Sequence, residues 1–422
     1  MPSVFLKSDT SVTASANALT LPSPEVIVNF RPLDTYKGEF GFDWVRMNDT
    51  PLFGDNKYED IISKQYLTAA HTTLQPNGNK YDGVYKKDPA MYKLLLKKYN
   101  PFSLSWASKD AAGVETPAQY LVPWMSLYKD KSAKLKMKLV IDRKADYIEF
   151  DATEYYTITP NKIEIKGKSG EVDLPDEIEI KCIKVHGSDE ELVVRSFIEG
   201  DTTGVVSGKI KAWANSSAKQ KEKKVVFVQV KTPELVPSKG ERSVDASPEK
   251  ARINKYINQA LITLHADSKV VDLDCTTDAD FANYIKSKKV SSKNKTAGGD
   301  DLITYLKAKL KKDLAGKYDN FFKAFYFGEN GYHANGNLSG YSRFGADFVV
   351  VFLSANDQTA SHEFLHSFNL AHTFTNKETS AHAEFTYEYS KTDNLLDYSH
   401  HVKKNGRCSL WYWQWVKANG SL

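Results

Sequence analysis

The sequence predicts a multidomain, β-rich chain with three parts: a β-rich or mixed N-terminal unit, an antiparallel β-sandwich and a C-terminal α/β unit. Three observations carry this prediction. At 422 residues the chain is too long for one ordinary core. Between Leu135 and Val230, short runs alternate apolar with polar residues and are cut by turn signals. After Pro248 the apolar spacing turns helical, with short continuous apolar runs between the helical stretches.

The elements follow in order. Residues 1–22, rich in Ser, Thr and Ala, read as a flexible lead. Residues 23–128 form the first unit. Its string Tyr36-Lys37-Gly38-Glu39-Phe40-Gly41-Phe42-Asp43-Trp44-Val45-Arg46 sets aromatics between glycines, which predicts paired strands with a tight turn and rings in the core. The string resembles those of signal-less multidomain bacterial proteins. In residues 129–232, Leu135, Met137, Leu139 and Ile141 alternate with polar residues. Ile163 and Ile165, then Ile178, Ile180 and Cys182, do the same, and Val225 to Val230 is a further apolar run. Thr159-Pro160-Asn161 and Gly167-Lys168-Ser169-Gly170 punctuate them, and an immunoglobulin-like sandwich is expected. The charged run Ala218 to Lys224 reads as an exposed hairpin tip. Thr232 to Ala246, with Pro233, Pro237 and Gly240, reads as a linker.

Residues 247–422 form the last unit. Ser247-Pro248-Glu249 reads as an N-cap, an N1 proline and an acidic first turn. Ile253, Ile257, Ala260, Leu261 and Leu264 continue at helical spacing, and a second helix is expected from about Asp300 to Lys312. Phe321 to Phe327 and Phe348 to Leu353 read as strands. Trp411, Trp413 and Trp415 predict a closing helix or strand that packs its aromatics inward.

Composition narrows the function classes. A hydrophobic share of 41% and a charged share of 26% are ordinary for a globular chain, and a net charge of +4 gives no case for nucleic acid. No stretch approaches the roughly 20 apolar residues of a membrane span. Cys182, Cys275 and Cys408 are an odd, widely spaced set, so one bridge at most is expected. Met1 to Thr20 lacks the apolar core of a signal peptide; work in the cytosol, or export by a route that ignores signals, is the expectation.

One stretch carries chemistry: His362-Glu363-Phe364-Leu365-His366-Ser367-Phe368-Asn369-Leu370-Ala371-His372. Histidines at i and i+4 share one helix face, so both rings can reach one metal ion. Glu363, next to the first histidine, is placed to act on a metal-bound water rather than to bind the metal. A third histidine at i+10 requires the chain to turn back. Asn369 fits that turn, because asparagine is the usual non-glycine residue in a left-handed helix stop. Three nitrogens leave one tetrahedral position open, as in a catalytic zinc site. The expected reaction is metal-assisted hydrolysis, with Glu363 as general base.

This stretch resembles the metzincin clan of zinc endopeptidases, whose signature is H-E-x-x-H-x-x-G-x-x-H followed by a methionine-containing turn. The resemblance spans roughly the last 175 residues. It implies an α/β catalytic domain, zinc on His362, His366 and His372, a peptide or protein substrate, and a sheet edge that pairs with substrate backbone. This chain departs twice: Asn369 replaces the glycine, and no methionine follows Met137. The matching turn is Thr392-Asp393-Asn394-Leu395-Leu396-Asp397-Tyr398-Ser399, with Leu396 at the methionine position as a hydrophobic floor. In some metzincins a tyrosine two residues later assists the reaction; Tyr398 is read either so or as a core tyrosine. His333, His382, His400 and His401 are read first as surface residues. Two other functions stay open: a catalytically degenerate binding or delivery protein, and a zinc hydrolase for a non-peptide amide or cell-wall polymer.

Overall fold

The structure, a computed structural model, describes residues 23–63, 87–109, 115–233, 246–296, 298–333, 336–374, 383–403 and 406–422. The lead (1–22), most of the expected linker and His382 lie outside the described residues. Sheet dominates, with six α-helices among the described residues.

Ser132–Arg143 buries Ala133, Leu135, Met137, Leu139 and Ile141 while its other side chains face outward, the period-2 pattern of a strand with one face on a core. It pairs antiparallel with Glu25–Pro32 on one side and Gly170–Cys182 on the other. A second sheet runs in the order Lys162–Glu164, Tyr147–Phe150, Glu190–Phe197, Val205–Ala212, Trp124–Ser126, Gly41–Asp43. Phe30, Met137 and Ile180 of the first sheet share one core with Ile148, Val194 and Ile210 of the second.

Two expectations fail here. The boundary near residue 128 divides nothing, because Glu25–Pro32, Gly41–Asp43 and Trp124–Ser126 are strands of these same sheets. The pairing is also not wholly antiparallel, since Val205–Ala212 runs parallel to Trp124–Ser126. The glycine-spaced aromatic string forms no hairpin with itself; its one strand, Gly41–Asp43, pairs with Trp124–Ser126. Its rings do enter the core: Phe40, Phe42 and Trp44 are buried.

The other large sheet has the order Lys269–Asp274, Val225–Lys231, Phe322–Phe327, Phe348–Val351, Gly340–Tyr341. The first four strands are parallel and the last is an antiparallel edge. Val225–Lys231, expected in the sandwich, is therefore an inner strand here. A buried parallel strand reads as a continuous apolar run, and Val225 to Val228 are all fully buried. The expected hairpin tip is also different: Lys221–Lys223 pairs in parallel with Ile262–Leu264. Helix Leu302–Asp313 falls where the apolar spacing placed it. The first helix, Ala246–Ile257, already includes Ser247 and stops short of the expected Ala260, Leu261 and Leu264: a single turn follows, Leu261 is left-handed, and Ile262–Leu264 is a strand.

The helix Thr359–Ser367 has all nine residues buried. Phe364, Leu365 and Phe368 join a core with Phe322, Val349 and Trp411, and Phe364 stacks on Phe322 with ring centroids 4.6 Å apart. Tyr58, Ile61, Ile62, Leu95 and Tyr99 from the N-terminal third lie in that same core. The three tryptophans precede and enter the last helix, Tyr412–Gly420, and are buried. All three cysteines are unpaired.

Candidate metal centre

The strand Phe348–Val351 runs buried into a turn where the Asn356 amide donates to Thr359 Oγ1 at 3.1 Å. The helix that follows carries His362 and His366 one turn apart. It ends at Phe368, and Asn369 takes the left-handed conformation with φ 64°, as the motif required. The chain then folds back beneath the helix, with the Leu370 amide bonded to the Leu365 carbonyl at 3.1 Å. That reversal delivers His372.

The three imidazoles converge. Nε2 of His362 lies 3.0 Å from Nε2 of His366 and 3.2 Å from Nε2 of His372, and the remaining pair is 3.1 Å apart. Three nitrogens each about 2.0–2.1 Å from one tetrahedral zinc would stand roughly 3.3 Å from one another. The other ring nitrogens fix the tautomers: His362 Nδ1 donates to the Leu395 carbonyl at 2.8 Å, and His366 Nδ1 to the Leu370 carbonyl at 2.7 Å. With Nδ1 protonated, the Nε2 lone pairs of these two rings face each other. Such an arrangement is repulsive unless a cation lies between them, and the three histidines fit a single metal ion. Burial holds His366 down to about 4 and His362 well below the usual imidazole range, so both are neutral donors at pH 7.

Glu363 is buried beside this cluster. A Cβ on Gly340 would come within 3.1 Å of its Cγ, so the carboxyl arm lies against the edge strand. The Ser342 amide donates to the carboxylate, yet burial outweighs this and the nearby Arg407, pushing the metal-free carboxyl up to about 8. A bound dication acts in the opposite direction.

The turn Thr392–Ser399 packs under the cluster. Asp397 ties it together, accepting from the Ser390 amide at 2.9 Å, the Thr392 amide at 2.8 Å and the Thr392 hydroxyl at 2.7 Å. Leu395 and Leu396 are fully buried. Tyr398 sets its ring edge-on to His372, with centroids 4.8 Å apart, and 6.0 Å from the His362 ring.

The sequence reading missed two groups. One is the Leu395 carbonyl, which orients His362. The other is Arg407, 2% exposed, whose Nη1 donates to the Asp397 carbonyl at 3.0 Å, with the Leu395 carbonyl and His362 Nδ1 each at 3.4 Å. Its Nε donates to Gln358 at 3.2 Å. Burial lowers the guanidinium to about 10, and the charges of Asp397, Tyr398 and Glu363 oppose that shift. No motif marks a single arginine 35 residues past the third histidine. Of the other histidines, His333 bonds Ser292 at 2.7 Å and His401 bonds Tyr389 at 2.8 Å; neither joins the cluster.

No family model matches the chain, and no curated protein matches it. Among solved structures the chain is similar to a Bacteroides ovatus GH5 xyloglucanase in complex with a XXXG heptasaccharide, at 7% identity and a TM-score of 0.16. That match covers 58% of this chain, which spans about half (49%) of the xyloglucanase chain. A likeness this slight carries no argument about fold or activity.

Proposed function

We propose that this protein is a zinc-dependent endopeptidase with a metzincin-like catalytic domain. The observation that carries the reading is the convergence of three Nε2 atoms within 3.2 Å, two of their rings locked by main-chain acceptors, with Glu363 alongside. Imidazole donors suit zinc among the common metals. The chain order of strands and helices, and an antiparallel edge strand next to Glu363, also agree with the metzincin resemblance.

His362, His366 and His372 would hold a zinc ion, which when bound would supply Lewis acidity and make water at the site acidic near neutral pH. Glu363 accepts a proton from the attacking water at its carboxylate and returns it to the leaving amine. Gly340–Tyr341 offers main-chain groups to an extended peptide, an added strand that sets the scissile bond beside Glu363. Tyr398 donates its hydroxyl to the developing oxyanion. Leu396 floors the site. We read the two-sheet unit as an immunoglobulin-like sandwich that serves as a spacer or binding module.

The test measures metal content and hydrolysis together. Wild type should carry about one zinc per chain and cleave unfolded casein in a chelator-sensitive way; His366→Ala should lose both. Zinc without cleavage of casein or cell-wall fragments would replace this reading with a binding protein, and cleavage of wall fragments alone would reassign the substrate.

A further inference from the structure

The aromatic string and the residues after it have no part in the chemistry above, yet they wrap the turn that carries it. Arg46 is fully buried, its guanidinium 3.2 Å from the centre of the Trp44 ring. Its Nη2 reaches both Asp393 oxygens, at 3.1 and 3.2 Å, across 347 residues of chain. The Asp393 carbonyl accepts from the Cys408 and Ser409 amides, and the Ser409 carbonyl in turn accepts from the Leu395 amide at 2.9 Å. Leu395 is the residue whose carbonyl orients His362. A short bonded path thus runs from Arg46 to the first metal ligand.

The glycines show how close the two segments lie. Gly54, at φ 82°, has no room for a Cβ, which would stand 2.2 Å from the Asp393 nitrogen. Gly38, at φ 85°, would place one 2.3 Å from the Cys408 carbonyl oxygen. These positions are glycine because two backbones touch there. Ile62–Ser63 pairs with Thr386–Tyr387, and the Tyr387 amide bonds the carbonyl of Thr373, the residue after the third histidine. Both the turn beneath the cluster and the segment leaving His372 are therefore braced from the N-terminal third.

We propose that residues 38–63 are a built-in support of the metal centre, with Arg46 as a positioning residue for His362 acting through Asp393 and Leu395. Residues 38–63 are then a permanent part of the catalytic body, not a pro-segment whose removal frees it. The proposal rests on the metal-centre reading above.

The test uses the full chain and zinc alone, with affinity measured by competition against a chromogenic chelator. Arg46→Met should weaken zinc binding by up to roughly 10-fold, the lower end of what losing a ligand's direct hydrogen-bond partner costs, because Arg46 acts through Asp393, Ser409 and Leu395. Arg46→Lys, which keeps a cation facing Asp393, should recover most of that loss. Gly54→Ala presses on the Asp393 backbone without leaving a buried charge unpaired, and should weaken zinc in a chain that still folds, even if Arg46→Met does not. A folded Arg46→Met or Gly54→Ala chain with wild-type zinc affinity and only a lowered Tm would overturn the proposal, since bracing of the fold alone predicts that result. Wild type that binds no zinc would sink the peptidase reading and this proposal together; tight wild-type binding with indifferent variants would sink this proposal only.

Discussion

Replacing Glu363 with glutamine separates chemistry, metal binding and stability in one variant. Glutamine fills the same buried space, 7% exposed, and still accepts from the Ser342 amide, but it cannot take a proton. Hydrolysis should fall roughly 10²–10⁴-fold, the usual contribution of a general base, while zinc stoichiometry stays at wild type. Stability should move the other way. In the metal-free chain the carboxyl is raised from 4.5 to about 8, so the folded state keeps a proton that the unfolded state releases. A raised pKa of this kind means stability falls as pH climbs from 4.5 toward 8. At pH 7 the gap from the ordinary value is about 2.5 pH units, or about 3 kcal/mol at 1.36 kcal/mol per unit. Glutamine removes that cost. For a chain of this size the gain is roughly 3–5 °C in Tm at pH 7, shrinking to nothing near pH 4.5. Thermal melts of chelator-treated wild type and variant at both pH values measure it, and a peptidase assay on the zinc-loaded pair completes the set. Equal melting at pH 7 would mean the carboxyl is already solvated. Retained hydrolysis would refute its role as base.

Three further outcomes are expected. Asn369→Gly should keep zinc, because the site needs only φ near 64°, whereas Asn369→Val should cost about 1–2 kcal/mol and lower zinc content by displacing His372; colorimetric zinc titration distinguishes the two. Tyr398→Phe keeps the ring against His372 and should lower kcat roughly 10²–10³-fold with zinc affinity unchanged; an unaltered kcat would assign the ring to packing. Asp43 is buried between the Tyr99 hydroxyl at 2.9 Å and the Tyr412 amide at 2.8 Å, and burial raises it to about 7. Its contribution to stability is present below about pH 4 and lost as pH rises through 7. Asp43→Asn should flatten that part of the Tm profile between pH 4 and 7, and an unchanged slope there would contradict the burial argument.

The three-histidine cluster was legible because its geometry is local. The i, i+4 spacing, one left-handed residue and a short return fix three rings whatever surrounds them, and Asn369 announces the turn. Arg407 and the Leu395 carbonyl were not legible. They reach His362 from 45 and 33 residues away, through contacts that no spacing encodes. The unit boundaries failed for a related reason. An apolar run such as Val225 to Val230 states that a strand is buried but not which strands flank it, so a sandwich and a parallel sheet read alike. The glycines of the aromatic string were read as a tight turn, whereas Gly38 meets the backbone of Cys408; outside the string, Gly54 likewise meets the backbone of Asp393.

The Arg46–Asp393 contact also sets a clock. At roughly 5–20 residues per second, a ribosome needs about 17–70 s to make the 347 residues between them. For that interval the N-terminal third must wait with Arg46 unpaired, and the turn beneath the three histidines cannot take its final form. The nascent chain is therefore without a finished three-histidine cluster until Asp393 has been made and has reached Arg46. That contact also makes the last step of folding a long-range closure, the kind that topology renders slow.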